Sequence, residues 1–594
     1  MTLSSASKYT MESSTHQIGA STVTLASEGL TITIARRHWS ARHWAWLVQA
    51  LAQVLGGGLA WVLAPTTRAA VTAAAGRPTP RWKPMLIDGL SYLLFVLLIP
   101  VGHPLRRLYA AFDWTTIDAQ CAAVYQNQER GAPAYAPQVL FRILVLMFVS
   151  GTPFESATLA RLQTDVAWRW FVGVSLLAPL PTAGSLSRFR TRLGVARFEA
   201  LLVELILVCD RQGLLGQLEA YFDMTGVAAS ASQVTPYERA VILAKALSAY
   251  LAEETAGPTA VSPEQIAAIV LEVLREKHPS LQEVQPAQIV ASQTQLEAEL
   301  AHPGRGEPAW WPRLRQASAQ VAHTLGGVPQ AGLAHLRAVA RQLAPSLPQA
   351  FGNPDAAVGH TRSDGTLCGY RSGLLVDAKR RIIVAVIVVA LNCVEAPAAL
   401  QALDKYYAIF GRYPKRLGLD SAFDRAEVHA YCEAHDIAAS ITVRSRPGAA
   451  GVFHADAFVW NDQEQLTCPN GAPMTQVKAP DGQGVALYRA SGACAACPLL
   501  NQCLTAKQQQ RTTPQRELRI NPVTHQRAQR SRERSRSPEG RAVRRRRFGS
   551  EGLFGHLNTY HNGDKAPYRN AQMDTIAQLL VAFVANLETL AAAA

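Results

Sequence analysis

The sequence predicts an α/β protein: a mixed β-sheet with helices packed on it, interrupted by a helical insertion and preceded by an all-α N-terminal domain. Two observations lead to this prediction. Helical periodicity dominates from about residue 103 to 200, and strand-like apolar runs alternate with helices from about 218 to 443. At 594 residues the chain is too long for one hydrophobic core. We therefore expect about two to four domains.

Residues 1–80 are predicted to be an N-terminal leader that ends in the linker GRPTP at residues 76–80. Residues 44–64 are uncharged and long enough to span a bilayer, but a buried helical hairpin broken at the glycines 56–58 explains them equally well. We expect no stable membrane association. The polar N-terminus lacks a signal-peptide core, and nine cysteines without such a signal indicate a reducing, cytoplasmic setting.

Residues 81–210 are predicted to form a helical domain that is a candidate for DNA binding. The periodicity indicates helices at Pro137–Phe148, Phe154–Leu162 and Val166–Val172, with further helical segments up to Cys209. Arginines on these segments suit contact with phosphate, although short helices with exposed arginines occur in any helical domain.

Residues 211–450 are predicted to form the first part of the α/β core, with a helical insertion at 228–350. A strand at Leu218–Val227 carries Asp223, and a strand at Lys415–Leu419 is followed directly by Asp420. Reactive side chains gather at strand ends in open α/β sheets, so both aspartates are candidate site residues.

Two further strands, Leu367–Asp377 and Arg381–Leu391, are predicted to pair as a hairpin. The second has the nearly continuous apolar sequence RIIVAVIVVAL. A strand that is apolar on both faces belongs in the middle of a covered sheet.

A cysteine-containing segment is predicted at residues 451–510. Cys494 and Cys497 form a Cys-x-x-Cys pair, and Cys468 and Cys503 supply two more thiols. Four thiolates close a tetrahedral zinc site, so the segment is a candidate for structural Zn²⁺. A redox pair and reduced loop thiols are the alternatives.

Residues 511–594 are predicted to hold an arginine-rich segment and the C-terminal catalytic helices. Between Arg511 and Arg547 there are thirteen arginines against three acids, a net charge of +10. Arginine forks bind phosphate bidentately, which favours a polyanionic partner; a solvated basic face is the alternative.

The stretch Arg544–Asn558 contains the third candidate acid, Glu551. If this stretch is helical, Arg544, Arg547, Glu551 and Asn558 share one face. A lone acid among cations is commonly an ion-paired surface residue. If the fold gathers three carboxylates, however, they require hard cations, and Mg²⁺ suits two-metal phosphoryl transfer.

These residues resemble the motifs of bacterial DDE insertion-sequence transposases, specifically the large branch with a cysteine-bearing segment between the second Asp and the Glu. The family commonly has Asp-Gly-Thr, Asp-x-Gly-Tyr, and a Glu with Arg four residues before and Lys seven after. Here the matching places hold Asp223-Met224-Thr225, Asp420-Ser421-Ala422-Phe423, and Glu551 with Arg547 and Asn558. The chain departs from the family at Met224, at Ser421–Phe423 and at Asn558.

The resemblance implies an RNase H-like catalytic core in which Asp223, Asp420 and Glu551 hold two Mg²⁺ ions. It implies a DNA transposase that cuts and joins element ends, with Arg544, Arg547 and Asn558 binding DNA. The partners would be double-stranded DNA, both element ends and target, and a second copy of the chain in a homodimer or higher assembly. The protein would be nucleoid-associated when bound to DNA. The alternative is a catalytically decayed or repurposed transposase that acts as a DNA-binding protein.

Four histidines are further candidates for contact with DNA or metal: His360, His525, His556 and His561. A structural role in a hydrogen-bonded site is the alternative for each of them.

Overall fold

The computed structural model describes the backbone of residues 14–18, 21–26 and 29–33, and residues 91–593 except 123, 125–134, 153, 255–260, 301–309, 326–331, 352, 354, 362–364, 443–451 and 491–493. The chain divides into two compact units. One comprises Met1–Leu98 and Ser175–Pro179, and the other comprises Ile99–Val174 and Leu180–Ala594. The expectations for residues 44–64 and for the linker at 76–80 lie outside the described residues.

The first unit contains three short antiparallel strands in the order β1-β2-β3. They are β1 (Ser14–Ile18), β2 (Ser21–Ala26) and β3 (Gly29–Thr33). Threonine and other β-branched residues recur in them, which favours extended backbone. No strand or helix is expected from the sequence of residues 14–33, so these three strands differ from the prediction.

The second unit begins with six helices. They are α1 (Pro104–Ala111), α2 (Thr115–Cys121), α3 (Pro137–Val149), α4 (Glu155–Thr164), α5 (Val166–Val172) and α6 (Ala183–Arg211). Helix α3 is buried from Gln138 to Phe148 because its sequence is apolar on nearly every side. Helix α6 consists of two helical stretches joined at Gly194, whose φ of 66° lies in the left-handed region that glycine adopts readily.

A helical insertion leaves the sheet after strand β4 (Glu219–Ala229). Strand β5 (Ser232–Gln233) pairs with β6 (Ala350–Phe351), which brings the two ends of the insertion together. Between them lie α7 (Pro236–Glu254), α8 (Pro263–Arg275), α9 (Pro286–Leu300), α10 (Trp310–Leu325) and α11 (Leu333–Leu343). These helices bury a hydrophobic cluster of their own, which includes the neighbouring Trp310 and Trp311.

The chain then returns to the sheet. Its strands are β7 (Ala357–Thr361), β8 (Gly365–Asp377), β9 (Ile383–Ala390), β10 (Arg416–Leu419) and β11 (Ala438–Ile441). Two helices connect the later strands, α12 (Ala396–Phe410) and α13 (Ala426–Ala434).

The central strands run in the order β9-β8-β4-β10-β11. Strand β8 is antiparallel to both β4 and β9, whereas β10 is parallel to β4 and to β11. Strand β7 pairs with the first residues of β8, on the same side as β9. The sheet is therefore mixed, with β4 in the middle and β8 running against its neighbours.

The cysteine-containing segment forms a small β-structure. It consists of β12 (Val459–Trp460), β13 (Leu466–Thr467), β14 (Met474–Lys478), β15 (Ala486–Ala490), β16 (Glu517–Ile520) and the short helices α14 (Leu500–Cys503) and α15 (Ala506–Gln509). Strands β14, β15 and β16 pair antiparallel in that order. Phe458, Leu466 and Tyr488 are among the residues of its core.

The chain ends in α16 (Pro522–Arg536), α17 (Pro538–His561), β17 (Lys565–Ala566) and α18 (Ala571–Ala593). Helix α17 packs on β4, β10 and β11, and α18 packs on β9 and α6. The ring of Phe583 on α18 meets those of Phe112 and Phe141, so the N-terminal helices share a core with the C-terminal helix. Among the described residues, α18 is the one helix long and apolar enough to cross a membrane, and most of it is buried.

Candidate catalytic site

Asp223 and Asp420 lie at matching positions on two adjacent parallel strands. In the pairing of β10 with β4, Arg416 is opposite Glu219 and Gly418 is opposite Tyr221. Two residues further along each strand stand Asp420 and Asp223. Asp223 is in the middle of β4 rather than near its end, because β4 continues to Ala229 by pairing with β8 and β17.

Asp420 directly follows the last residue of β10 and caps a short helical turn. Its carboxylate accepts a hydrogen bond from the backbone N–H of Ala422 at 2.8 Å, which caps the turn Ser421–Phe423. Phe423 is fully buried, and its ring lies 5.5 Å from that of Phe222 on β4. Phe423, which stands where the resembled motif has Tyr, therefore anchors the turn in the core.

The carboxylate of Asp223 binds an arginine of helix α17. Its Oδ2 atom accepts a hydrogen bond from Nη1 of Arg547 at 2.7 Å, and its Oδ1 atom accepts one from the backbone N–H of Met224 at 2.9 Å. The side chains of Asp223 and Arg547 are 18% and 8% exposed. An ion pair so shielded from water fixes the position of α17 over β4.

A second ion pair joins the same helix and strand. Arg546 donates from Nε and Nη2 to the two carboxylate oxygens of Glu219, both at 2.7 Å, and Arg416 donates to the same carboxylate at 3.0 Å. The Tyr221 hydroxyl adds a third donor. Burial alone would raise the pKa of the Glu219 carboxyl, but the bonds from Arg546, Tyr221 and Arg416 lower that pKa below its ordinary value.

The close approach of α17 to the sheet depends on a glycine in β10. A Cβ atom at Gly418 would stand 2.7 Å from the Tyr221 ring and 3.4 Å from Val543 of α17. A larger residue there would push the helix or the ring away, because real Cβ atoms do not approach other atoms this closely.

Glu551 lies on α17 one helical turn after Arg547, and its side chain is exposed. Arg544 and Asn558 of the same helix are half-buried. The amide oxygen of Asn558 is buried and has no hydrogen-bond partner among the described residues. The structure thus pairs Asp223 with Arg547, aligns Asp420 with Asp223 through the register of the two strands, and places Glu551 on the helix that carries Arg547.

Much of the arginine-rich segment binds carboxylates of the core. Arg527 and Arg530 both pair with Glu433 of α13, and Arg532 pairs with Asp424 and Asp456. With Arg546 and Arg547, five of the thirteen arginines of this segment form such pairs. These five cations therefore help to fasten α16 and α17 to the rest of the fold.

A cavity of about 240 Å³ lies beside the pair formed by Arg546 and Glu219. Three cations line it: Arg381, from the turn between β8 and β9, and Arg545 and Arg546 from α17. Tyr221 and Gly549 complete part of its wall, and the Arg381 guanidinium lies 3.0 Å from the position of a Cβ atom at Gly549.

The four cysteines of the predicted zinc site are free thiols that lie near one another. All four are half-buried, and Cys468, Cys494 and Cys503 pack against the core of the cysteine-containing segment. Burial raises the pKa of the Cys503 thiol, and the neighbouring thiols Cys494, Cys468 and Cys497 raise it further, while Arg516 lowers it.

Among the described residues, one set of three donor atoms lies within 4.8 Å of one another: those of His556, His561 and Glu588. Neither the three predicted acids nor the cysteines form so close a set in the described part of the chain. The sequence gives no signal for Glu588 or Glu219, and Arg546, expected with its neighbours to bind phosphate, binds the carboxylate of Glu219 instead. All of them act through contacts with parts of the chain that are remote in sequence.

Two family models match the chain. One, described as "Transposase domain (DUF772)", matches residues 95–192, and the other, described as "Transposase DDE domain", matches residues 467–591. Glu551 lies inside the second range, and Asp223 and Asp420 lie between the two. No curated protein and no solved structure matches the chain.

The two matched segments are similar to transposase domains. Together with the motifs described above they support an insertion-sequence DDE transposase. Such a protein acts on DNA, and members of this family generally use divalent metal ions.

Proposed function

We propose that the protein cuts and joins the ends of an insertion element by two-metal phosphoryl transfer, with Asp223, Asp420 and Glu551 as the metal ligands. The observation that carries the proposal is the alignment of Asp223 on β4 with Asp420, the residue that directly follows β10. Helix α17, which carries Glu551, is fastened to the same strand through Arg546 and Arg547.

We further propose that the sheet is an RNase H-like catalytic core. The order β9-β8-β4-β10-β11, with β8 antiparallel to its neighbours, supports this proposal. The all-helical region α1 to α6 would serve as the N-terminal DNA-binding part.

The donor set suits Mg²⁺, because all three side chains offer carboxylate oxygens, the ligands this ion prefers. When bound, the ions supply an activated hydroxyl or water and stabilise the leaving oxygen. Arg547 balances the charge of Asp223 and so lowers the repulsion between the neighbouring acids. The hydrogen bond from Ala422 fixes the direction of the Asp420 carboxylate.

DNA would approach along α17. Arg544 and Asn558 are the proposed contacts beside Glu551, and the cavity lined by Arg381, Arg545 and Arg546 has the charge to bind a backbone phosphate. Because joining two element ends requires two active sites, the working form would be a homodimer or a higher assembly on DNA.

The cysteine-containing segment is proposed to hold a structural Zn²⁺ ion. Cys468, Cys494 and Cys503 pack against one small core, and all three other thiols raise the pKa of Cys503, which places the four cysteines near one another and supports the proposal. Metal binding would draw the sulfur atoms together, since such sites commonly form as the ion binds.

The test is cleavage of labelled duplex DNA that carries the sequence flanking this gene, with wild type beside Asp223→Asn. Mg²⁺-dependent cleavage at the element end that disappears in the variant is the expected result. Binding without cleavage in either Mg²⁺ or Mn²⁺ would favour the alternative, a decayed transposase that only binds DNA. That alternative rests on Met224, Ser421 and Asn558, where the chain departs from the motifs of the DDE transposases.

A further inference from the structure

Three metal-ligating side chains converge where the end of α17 meets α18. The Nε2 atoms of His556 and His561 are 3.3 Å apart, and an oxygen of Glu588 lies 3.6 Å from the first and 3.2 Å from the second. The two histidines are on α17 and the glutamate is on α18, so helix-helix packing creates the cluster.

The spacing matches three corners of a metal tetrahedron. With metal–ligand distances of about 2.0–2.1 Å, the edges of a tetrahedral zinc site are about 3.3 Å long. The three observed distances of 3.2, 3.3 and 3.6 Å lie close to that value. Imidazole nitrogen with one carboxylate also favours a transition metal over Mg²⁺, which prefers oxygen alone.

The surroundings of His561 prepare it to bind a metal through Nε2. The side chain is 2% exposed, and Nδ1 lies 2.8 Å from the carbonyl oxygen of Phe148 in α3. Donation of the Nδ1 proton to that carbonyl leaves the Nε2 lone pair directed at the other two groups. Nitrogen and oxygen lone pairs this close repel one another unless a metal ion or a donated proton lies between them.

The other side of the cluster is open to solvent. The side chains of His556 and Glu588 are 46% and 33% exposed. An ion has a route to enter there, and water has room to complete its coordination.

We propose that His556, His561 and Glu588 bind a transition-metal ion of the zinc class, which clamps α17 to α18. This site is separate from the proposed magnesium site that includes Asp223 and from the proposed zinc site that includes Cys468. The clamp also reaches the N-terminal helices. The Phe148 carbonyl supports His561, and the Asn562 side chain donates to the carbonyl of Gly151 at 2.6 Å. A bound ion would thus hold the end of the Glu551 helix against two other parts of the fold.

The test measures metal binding by the full chain, with Co²⁺ as a spectroscopic substitute for Zn²⁺. Cobalt bound by nitrogen and oxygen gives visible ligand-field bands, whereas cobalt bound by cysteines adds intense thiolate charge-transfer bands in the near ultraviolet. The variant is His556→Gln, because this half-exposed side chain can change without disturbing the core. The matched control is His323→Gln, an exposed histidine on α10.

Wild type and His323→Gln are expected to bind one more metal ion per chain than His556→Gln. The cobalt absorption that wild type shows and His556→Gln lacks should contain no thiolate bands. Zn²⁺ should raise the melting temperature of wild type more than that of His556→Gln. Glu588→Gln provides a second variant with the same expected loss if His556→Gln does not fold. Equal metal content and equal cobalt spectra in wild type and the folded variants would overturn the proposal and leave a proton as the cation that holds the three groups together.

Discussion

Replacing Asp574 with asparagine is predicted to remove a pH-dependent loss of stability from the C-terminal core. Asp574 lies near the start of α18, is fully buried, and has no hydrogen-bond partner for either carboxylate oxygen among the described residues. Burial raises the pKa of this carboxyl from 3.8 to about 7. The raised pKa arises because the ionised form loses its hydration inside the core.

The magnitude follows from proton linkage. Below about pH 4 the carboxyl is protonated in the folded and the unfolded chain, and it makes no pH-dependent contribution. Between about pH 4 and 7 the unfolded chain releases the proton first, so stability falls as the pH rises, and above that range the loss is constant. The difference between 3.8 and about 7 corresponds to a total of roughly 4 kcal/mol, at about 1.36 kcal/mol per pH unit.

The assay compares urea unfolding of wild type and Asp574→Asn near pH 4 and near pH 8, followed by tryptophan fluorescence. A buried amide without partners costs about 1–3 kcal/mol at either pH. The informative quantity is therefore how the difference in unfolding free energy between the two proteins changes from pH 4 to pH 8. That change should favour the variant by about 4 kcal/mol at the higher pH. Asp462→Asn, at an exposed position, is the control. Parallel pH profiles for wild type and Asp574→Asn would show that ionisation of Asp574 does not destabilise the folded protein.

Two further predictions concern the elements around the site. Arg546→Ala should destabilise the protein by about 1–3 kcal/mol, because it leaves the buried carboxylate of Glu219 with fewer donors; an unchanged melting temperature, beside Arg545→Ala as control, would contradict this. Cys494→Ser should lower the zinc content of the purified protein and make its melting temperature less sensitive to chelator than that of wild type, and zinc content equal to that of wild type would exclude Cys494 as a ligand.

The strands of the sheet are predictable because burial on both faces requires a nearly continuous run of apolar residues, which is visible in the sequence. The run at Arg381–Leu391 contains β9, Ile383–Ala390, and the run at Leu218–Val227 overlaps β4, Glu219–Ala229. The positions of Asp223 and Asp420 follow from the same runs. What placed them side by side was the pairing of β4 with β10, which local pattern does not encode.

The ion pairs that hold α17 on the sheet could not be predicted from the sequence. Arg547 and Asp223 are 324 residues apart, and an arginine-rich run looks the same whether its members bind DNA or carboxylates of the core. Asp574 gives no signal either, since one acid in a long apolar helix looks like a residue at its solvent edge. The strands β1 to β3 were missed because runs of five or six residues in a polar leader are too short to distinguish from coil.

The central claim is that Glu551 joins Asp223 and Asp420 in holding the catalytic metal ions, and a change of metal preference tests it most directly. In Glu551→Cys the hard carboxylate is replaced by a softer thiolate, which binds Mg²⁺ poorly and Mn²⁺ better. The measurement is cleavage at the element end by wild type and Glu551→Cys in each metal. The variant is expected to lose cleavage in Mg²⁺ and to regain part of it in Mn²⁺, and cleavage at the wild-type rate in Mg²⁺ would exclude Glu551 as a metal ligand.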